Sequence, residues 1–202
     1  MTSQPATVGR IRATTADTLS PEQRPLWDSI TAGPRGAAPW MVTNGVLAGP
    51  FNAWLQIPHI GGPLAAAGEQ LRFQSSLHPV LREAVILTVG AHWRSEFEFW
   101  AHANIGRDEG MAESLIDAIE AQSISAVADA TDDESVRLAH RATLALVRTG
   151  VVPEPEFTSL CETIGEASTL EMIALAGYYT VVSFTLNSAQ VPLPAGIEPR
   201  FS

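Results

Sequence analysis

The segment from Glu83 to His102, EAVILTVGAHWRSEFEFWAH, concentrates the residues that can move a proton. Glu98 and His102 stand four positions apart, so on one helix they project from the same face, where a carboxylate and an imidazole can share a hydrogen bond. Glu83 lies in a preceding segment among Ala84, Val85, Ile86 and Leu87. Burial there disfavours the ionised carboxylate, raises its pKa and suits it to an acid or base role. His92 and Trp93 close that segment. Structural roles compete for the same side chains. Ser95-x-x-Glu98 spells a capping box, Glu83 follows Arg82 near a helix start where the dipole favours a glutamate, and His102 beside Phe99 and Trp100 suits a hydrogen-bonded, partly buried histidine. The combination, rather than any one member, points to chemistry.

Metal binding fits less well. His92, Glu98 and His102 offer nitrogen and oxygen ligands, but their spacing is not the His-x3-His of a zinc helix, so no metal is expected. His59, His78 and His140 fall outside the segment, and His78 and His140 are expected to be exposed. Cys161 is the only cysteine, which leaves neither an internal disulfide framework nor a Cys-rich metal site and fits the reducing cytosol. A small buried hydrophobe is its expected role.

The elements that must position these residues read as helices. Ser20-Pro21-Glu22-Gln23 opens one that should stop near Gly33-Pro34, and residues 35–49 read as a long loop. A short helix starts at Gly49-Pro50-Phe51-Asn52, and further helices span Ile60 to Arg72, Val80 to Trp93, Ser95 to Gly106, Ala112 to Ala121, Asp132 to Thr149 and Glu154 to Ile164. Thr131-x-x-Glu134 and Ser168-x-x-Glu171 look like capping boxes. The apolar run from Met172 to Leu186 is shorter than the roughly 20 residues that cross a bilayer, so burial or a subunit interface is expected for it. Its β-branched residues around Val181 also suit a strand. Residues 1–18 read as a flexible arm, 19–190 as a single domain, and 191–202, with Val191-Pro192-Leu193-Pro194, as an extended tail.

Composition narrows the function classes. The 202 residues are 46% hydrophobic and 17% charged, an ordinary globular balance. The net charge of −10 would repel phosphate backbones and anionic lipid, and the basic residues form no stripe, so no nucleic-acid or membrane partner is expected. The first residues lack the apolar core of a signal peptide, which leads to a cytoplasmic expectation.

The order Glu83, then Ser95-x-x-Glu98-x-x-x-His102, then Gly106 and Gly110 resembles the carboxymuconolactone decarboxylase and AhpD-like superfamily. Peroxidase members carry Cys-x-x-Cys-x-x-x-His with a glutamate twelve positions before the first cysteine; here Ser95 and Glu98 stand at the cysteine positions. Pro21-Glu22-Gln23, Gly33-Pro34-Arg35-Gly36, Gly49-Pro50-Phe51-Asn52, Leu71-Arg72-Phe73, His92-Trp93 and Gly177-Tyr178-Tyr179 are similar to a longer, decarboxylase-like branch. The resemblance implies an all-α, AhpD-like helical bundle that forms a homo-oligomer, a trimer or a hexamer, without metal or organic cofactor. It also implies a lyase acting on a small carboxylated lactone or aromatic-derived acid, since serine cannot run a thiol redox cycle. In that reading Glu83, Glu98 and His102 are catalytic. His92, Trp93 and Ser95 line the substrate, Arg72 or Arg82 clamps its carboxylate, and Phe51 and Asn52 add a wall and a polar contact. A peroxidase-like oxidoreductase and a non-catalytic oligomeric binding protein are the alternatives.

Overall fold

The computed structural model describes residues 6–201. Among these, ten helices, two short hairpins and two 3-10 turns are formed, so the all-α expectation holds. The chain folds as two compact units. One runs from the N-terminal residues to Gln74 and takes in Thr185–Gly196; the other comprises Ser75–Phe184 with the segment from Ile197.

In the first unit, β1 (Thr7–Val8) and β2 (Ile11–Arg12) form a hairpin, followed by a 3-10 turn at Ala16–Thr18 and by α1 (Arg24–Ala32). The segment expected as a flexible arm is thus structured from its described residues onward. Backbone bonds hold it: the Arg10 N–H donates to the Ala189 carbonyl at 2.8 Å. Gly9, at φ +57°, passes so close that a Cβ would lie 2.2 Å from the Gln190 oxygen. α1 buries Leu26, Trp27 and Ile30 on one face. The regular helix starts at Arg24, but its bonding begins at the expected Ser20, whose carbonyl accepts from the Arg24 N–H at 3.2 Å and whose N–H donates to Gln23 Oε1 at 2.9 Å.

The expected loop after residue 35 holds a 3-10 turn at Pro34–Ala37 and a second hairpin, β3 (Val42–Thr43) with β4 (Val46–Leu47). Its turn is Asn44-Gly45, both at positive φ, a pairing strongly favoured in two-residue hairpins. α2 (Phe51–Trp54) and α3 (Pro58–Phe73) follow. Gly61 of α3 lies against α2, where a Cβ would sit 2.5 Å from the Trp54 carbonyl oxygen.

In the second unit, α4 (Pro79–His92) is apolar almost all round and packs against α5 (Glu96–Asp108), α6 (Glu113–Glu120) and α8 (Glu134–Thr149). Val85, Ile86 and Leu87 are fully buried there, each worth about 1.5–3 kcal/mol of apolar burial. α7 (Ile124–Ala130) was not expected; Ser123 caps it by accepting from the Ala126 N–H. α8 is capped by Asp133, which accepts from the Ser135 and Val136 N–H groups, and not by the Thr131-x-x-Glu134 box. It ends at Gly150 in the left-handed conformation, φ +80°. α9 (Glu154–Ile164) has the expected bounds. Cys161 on it is half-buried, whereas its neighbour Leu160 takes the fully buried place.

α10 (Glu166–Ala189) is one continuous helix through the β-branched run, because Met172, Leu175, Ala176, Tyr179, Val182 and Leu186 are buried at helical spacing. Its 24 residues and mean hydropathy would span a bilayer, a test that core helices of globular proteins also pass. Because α10 already starts at Glu166, Ser168 and Glu171 do not form a cap. Glu171 instead accepts from the Ser76 hydroxyl at 2.7 Å. The tail ends against α5, where Glu96 accepts from the Arg200 and Phe201 N–H groups, both at 2.8 Å, and the Phe201 ring meets Phe99 edge-on.

Candidate active site

α4 and α5 are joined by a tight turn that sets the site. Arg94 adopts φ +50°, and the Ser95 N–H donates to the Gly90 carbonyl at 2.8 Å, a Schellman closure that makes Ser95 the N-cap of α5. Gly90 lies at the helix crossing, where a Cβ would make ordinary contact with the Phe99 backbone and the Glu98 side chain at 3.6–3.8 Å. This packing brings Glu83 of α4 to His102 of α5. Glu83 Oε2 and His102 Nδ1 are 2.6 Å apart, and His102 Nε2 is 3.2 Å from Glu98 Oε1. All three side chains are buried, Glu83 completely.

Burial alone would push the His102 pKa down, but the neighbouring carboxylates of Glu83 and Glu98 outweigh it, and the net shift is upward. The imidazolium therefore persists above the usual histidine range. Glu83 also accepts from Arg82 Nε at 3.3 Å, and Arg82 reaches toward Glu109 at 3.9 Å. Arg82 and His102 are the cationic partners beside the two buried glutamates, which offsets the cost of burying them.

The capping-box role for Ser95 and Glu98 is not realised. Ser95 makes no side-chain cap bond, and neither Ser95 Oγ nor Glu98 Oε1 has a hydrogen-bond partner, although both are buried. The 3.2 Å contact of Glu98 with His102 lacks hydrogen-bond alignment. The edge of the Tyr179 ring packs on His102 with centroids 4.9 Å apart. Tyr179 is not among the expected site residues; the signal for it is a tyrosine within the apolar run of α10.

The remaining expected residues occupy other positions. His92 and Trp93 meet edge-on at 4.6 Å, Trp93 donates its indole N–H to Thr180 Oγ1 at 3.3 Å, and burial pushes the His92 pKa down. Trp93 also lines an open apolar groove of about 310 Å³ with Leu146, Val147, Ile173 and Thr180. Arg72, Phe51 and Asn52 belong to the first unit. Asn52 is buried and clamps the N-terminal hairpin, accepting from the Thr14 N–H and donating to the Arg12 carbonyl. Phe51 packs on Trp54, and the Arg72 guanidinium lies over the Phe73 ring at 4.9 Å.

His140 is fully buried, correcting the expectation of exposure. It falls on the α8 stripe of Val136, Ala139 and Thr143 that faces the core. Thr88 donates its own proton to the Ala84 carbonyl, so its Oγ1 accepts from His140 Nδ1–H at 2.8 Å. Burial pushes the His140 pKa down to about 4. His78 is exposed, as expected.

No family model and no curated protein matches the chain. Solved structures do. One, described as the alkylhydroperoxidase AhpD core of an uncharacterized peroxidase-related protein from Ralstonia eutropha JMP134, aligns with a TM-score of 0.73 at 13% identity over 94% of each chain. Another, an uncharacterized peroxidase-related protein from Silicibacter sp. TM1040, aligns with a TM-score of 0.72 at 13% identity over the whole of both chains. At such identity the likeness is one of fold. The chain has the AhpD-like helical fold.

Proposed function

We propose that the chain is a cofactor-independent lyase of the carboxymuconolactone decarboxylase type, acting by acid–base catalysis on a small carboxylated lactone or aromatic-derived acid. The observation that carries this reading is His102 held between two buried carboxylates, with Nδ1 on Glu83 and Nε2 beside Glu98. Loss of carbon dioxide leaves an electron pair that spreads into an adjacent carbonyl, and carbon must then gain a proton. Glu83 occupies Nδ1 and so fixes which ring nitrogen reacts. The proton on Nε2 is the one delivered, and Glu98 Oε1 lies 3.2 Å from that nitrogen.

The structural neighbours are described as peroxidase-related. Thiol peroxidase chemistry needs one thiolate to attack peroxide and a second thiol to resolve the sulfenic acid. Positions 95 and 98 carry serine and glutamate, and the sole cysteine, Cys161, is on α9, which supports the lyase over the oxidoreductase.

The test is carbon dioxide release from a panel of carboxylated lactones, β-keto acids and phenolic acids, beside a dithiol-dependent peroxide assay. Release that His102→Ala abolishes is expected. Silence across the panel from folded protein, or release that survives His102→Ala, removes the reading; dithiol-dependent peroxide consumption would favour the oxidoreductase.

A further inference from the structure

α5 starts without the side-chain cap that its sequence offers. Ser95 Oγ, fully buried at the N-cap, bonds neither the helix backbone nor anything else. Glu98, three residues on and therefore on the same face, keeps Oε1 buried and unbonded, out of line with the His102 ring N–H. Buried polar atoms without partners are rare and unfavourable, and two on the first turn of one helix, beside a histidine flanked by carboxylates, leave bonds that a polar group of a ligand would supply.

Charge decides which group. Two glutamates, Glu83 and Glu98, stand beside His102, and Arg82 is shared between Glu83 and Glu109. A carboxylate or phosphate would bring a third buried negative charge against two glutamates, and an ammonium would face the imidazolium. An uncharged hydroxyl meets neither penalty. Its proton goes to Glu98 Oε1, and its oxygen accepts from Ser95 Oγ–H or from His102 Nε2–H. The dipole of α5 and the N–H groups of its first turn favour partial negative charge on that oxygen, which selects an acidic hydroxyl over an alkyl alcohol.

We infer that Ser95 and Glu98 are the docking point for an un-ionised enol or phenol hydroxyl of the ligand. The inference deepens the acid–base reading above and rests on it for turnover, while binding is measured without turnover.

Phenol, benzoate and benzylamine are close in size and carry, near pH 7, no charge, a negative and a positive charge. Each is titrated into protein labelled with 15N-histidine while the His102 ring signals are followed. Phenol should bind saturably, and benzoate and benzylamine at least about tenfold more weakly. Ser95→Ala and Glu98→Gln, checked for folding by circular dichroism, should each weaken phenol about tenfold, the scale of one buried hydrogen bond. If Glu98→Gln does not fold, Ser95→Ala decides alone. The inference is overturned by benzoate binding as tightly as phenol, by the absence of saturable phenol binding, or by phenol affinity that the folded variants leave unchanged. Selective phenol binding without carbon dioxide release from any substrate would keep the hydroxyl site and remove the lyase. Release with no preference for phenol would do the reverse.

Discussion

Glu83 and His102, nineteen residues apart on successive helices, meet at 2.6 Å in a fully buried pair. A bond that short between a carboxylate and an imidazole is charge-assisted. It joins α4 to α5 and at the same time fixes the ring so that Nε2 faces Glu98.

Replacing Glu83 with Gln removes the foremost of the contributions that raise the His102 pKa, so burial regains ground and the pKa falls. Stability should drop on the order of 3 kcal/mol, because one partner of a buried ion pair is gone. Ring-proton NMR titration and urea denaturation measure the two effects. A His102 titration identical to wild type would show that the pair is not ionic.

Glu98→Gln should lower turnover at least about a hundredfold, the scale of lost acid–base catalysis, and His102→Ala should do the same at a cost in stability on the order of 3 kcal/mol, since it leaves Glu83 and Glu98 buried without their shared cation. Turnover retained in Glu98→Gln but lost in His102→Ala would remove Glu98 from the proton path and leave His102 in it.

Two buried histidines give stability opposite pH slopes. His102 has a raised folded pKa, so its contribution is complete below the unfolded value of about 6.5 and is lost as pH rises through the folded value. His140 has a folded pKa near 4, so the unfolded chain takes up a proton first, and stability is lost as pH falls from about 6.5 toward 4, by up to about 3 kcal/mol. These two groups therefore place a maximum near pH 6.5. Urea midpoints across pH, compared with His140→Gln, test the acid limb, which should flatten in the variant; an unchanged limb would assign it to the carboxylates.

Gly61 and Gly62 are adjacent in α3, yet alanine should act on them with opposite sign. At Gly61 the new methyl would lie 2.5 Å from the Trp54 carbonyl oxygen, and overpacking of this kind destabilises by about 1–3 kcal/mol. At Gly62 nothing lies within 4 Å, so the helix gains about 0.5–1 kcal/mol from reduced backbone freedom. Thermal denaturation of both variants checks the pair, and equal shifts would contradict the packing of α3 on α2.

The helices whose punctuation is local could be read directly. α9 has the expected bounds because Pro153 and Gly165 flank it, and α4 differs by one residue at each end. The N-terminal hairpin escaped notice because two-residue strands carry no measurable alternation. The second hairpin carries a local signal in Asn44-Gly45, but its two-residue strands are too short to alternate. α7 is too short to show a helical period. His140 looked like a solvent histidine because a single polar residue on an amphipathic helix does not reveal whether Thr88, on another helix, will meet it.

The sequence by itself determined the helical class, most of the helix boundaries and the candidacy of Glu83, Glu98 and His102, since spacing along one helix and capping are interactions between near neighbours. Only the tertiary structure showed that Ser95 and Glu98 do not form the capping box their spacing spells. A capping bond is worth about 0.5–2 kcal/mol and forms between near neighbours in sequence. A buried carboxylate beside an imidazolium couples more strongly, because little water is left to screen it, and that environment exists only where α4 packs on α5.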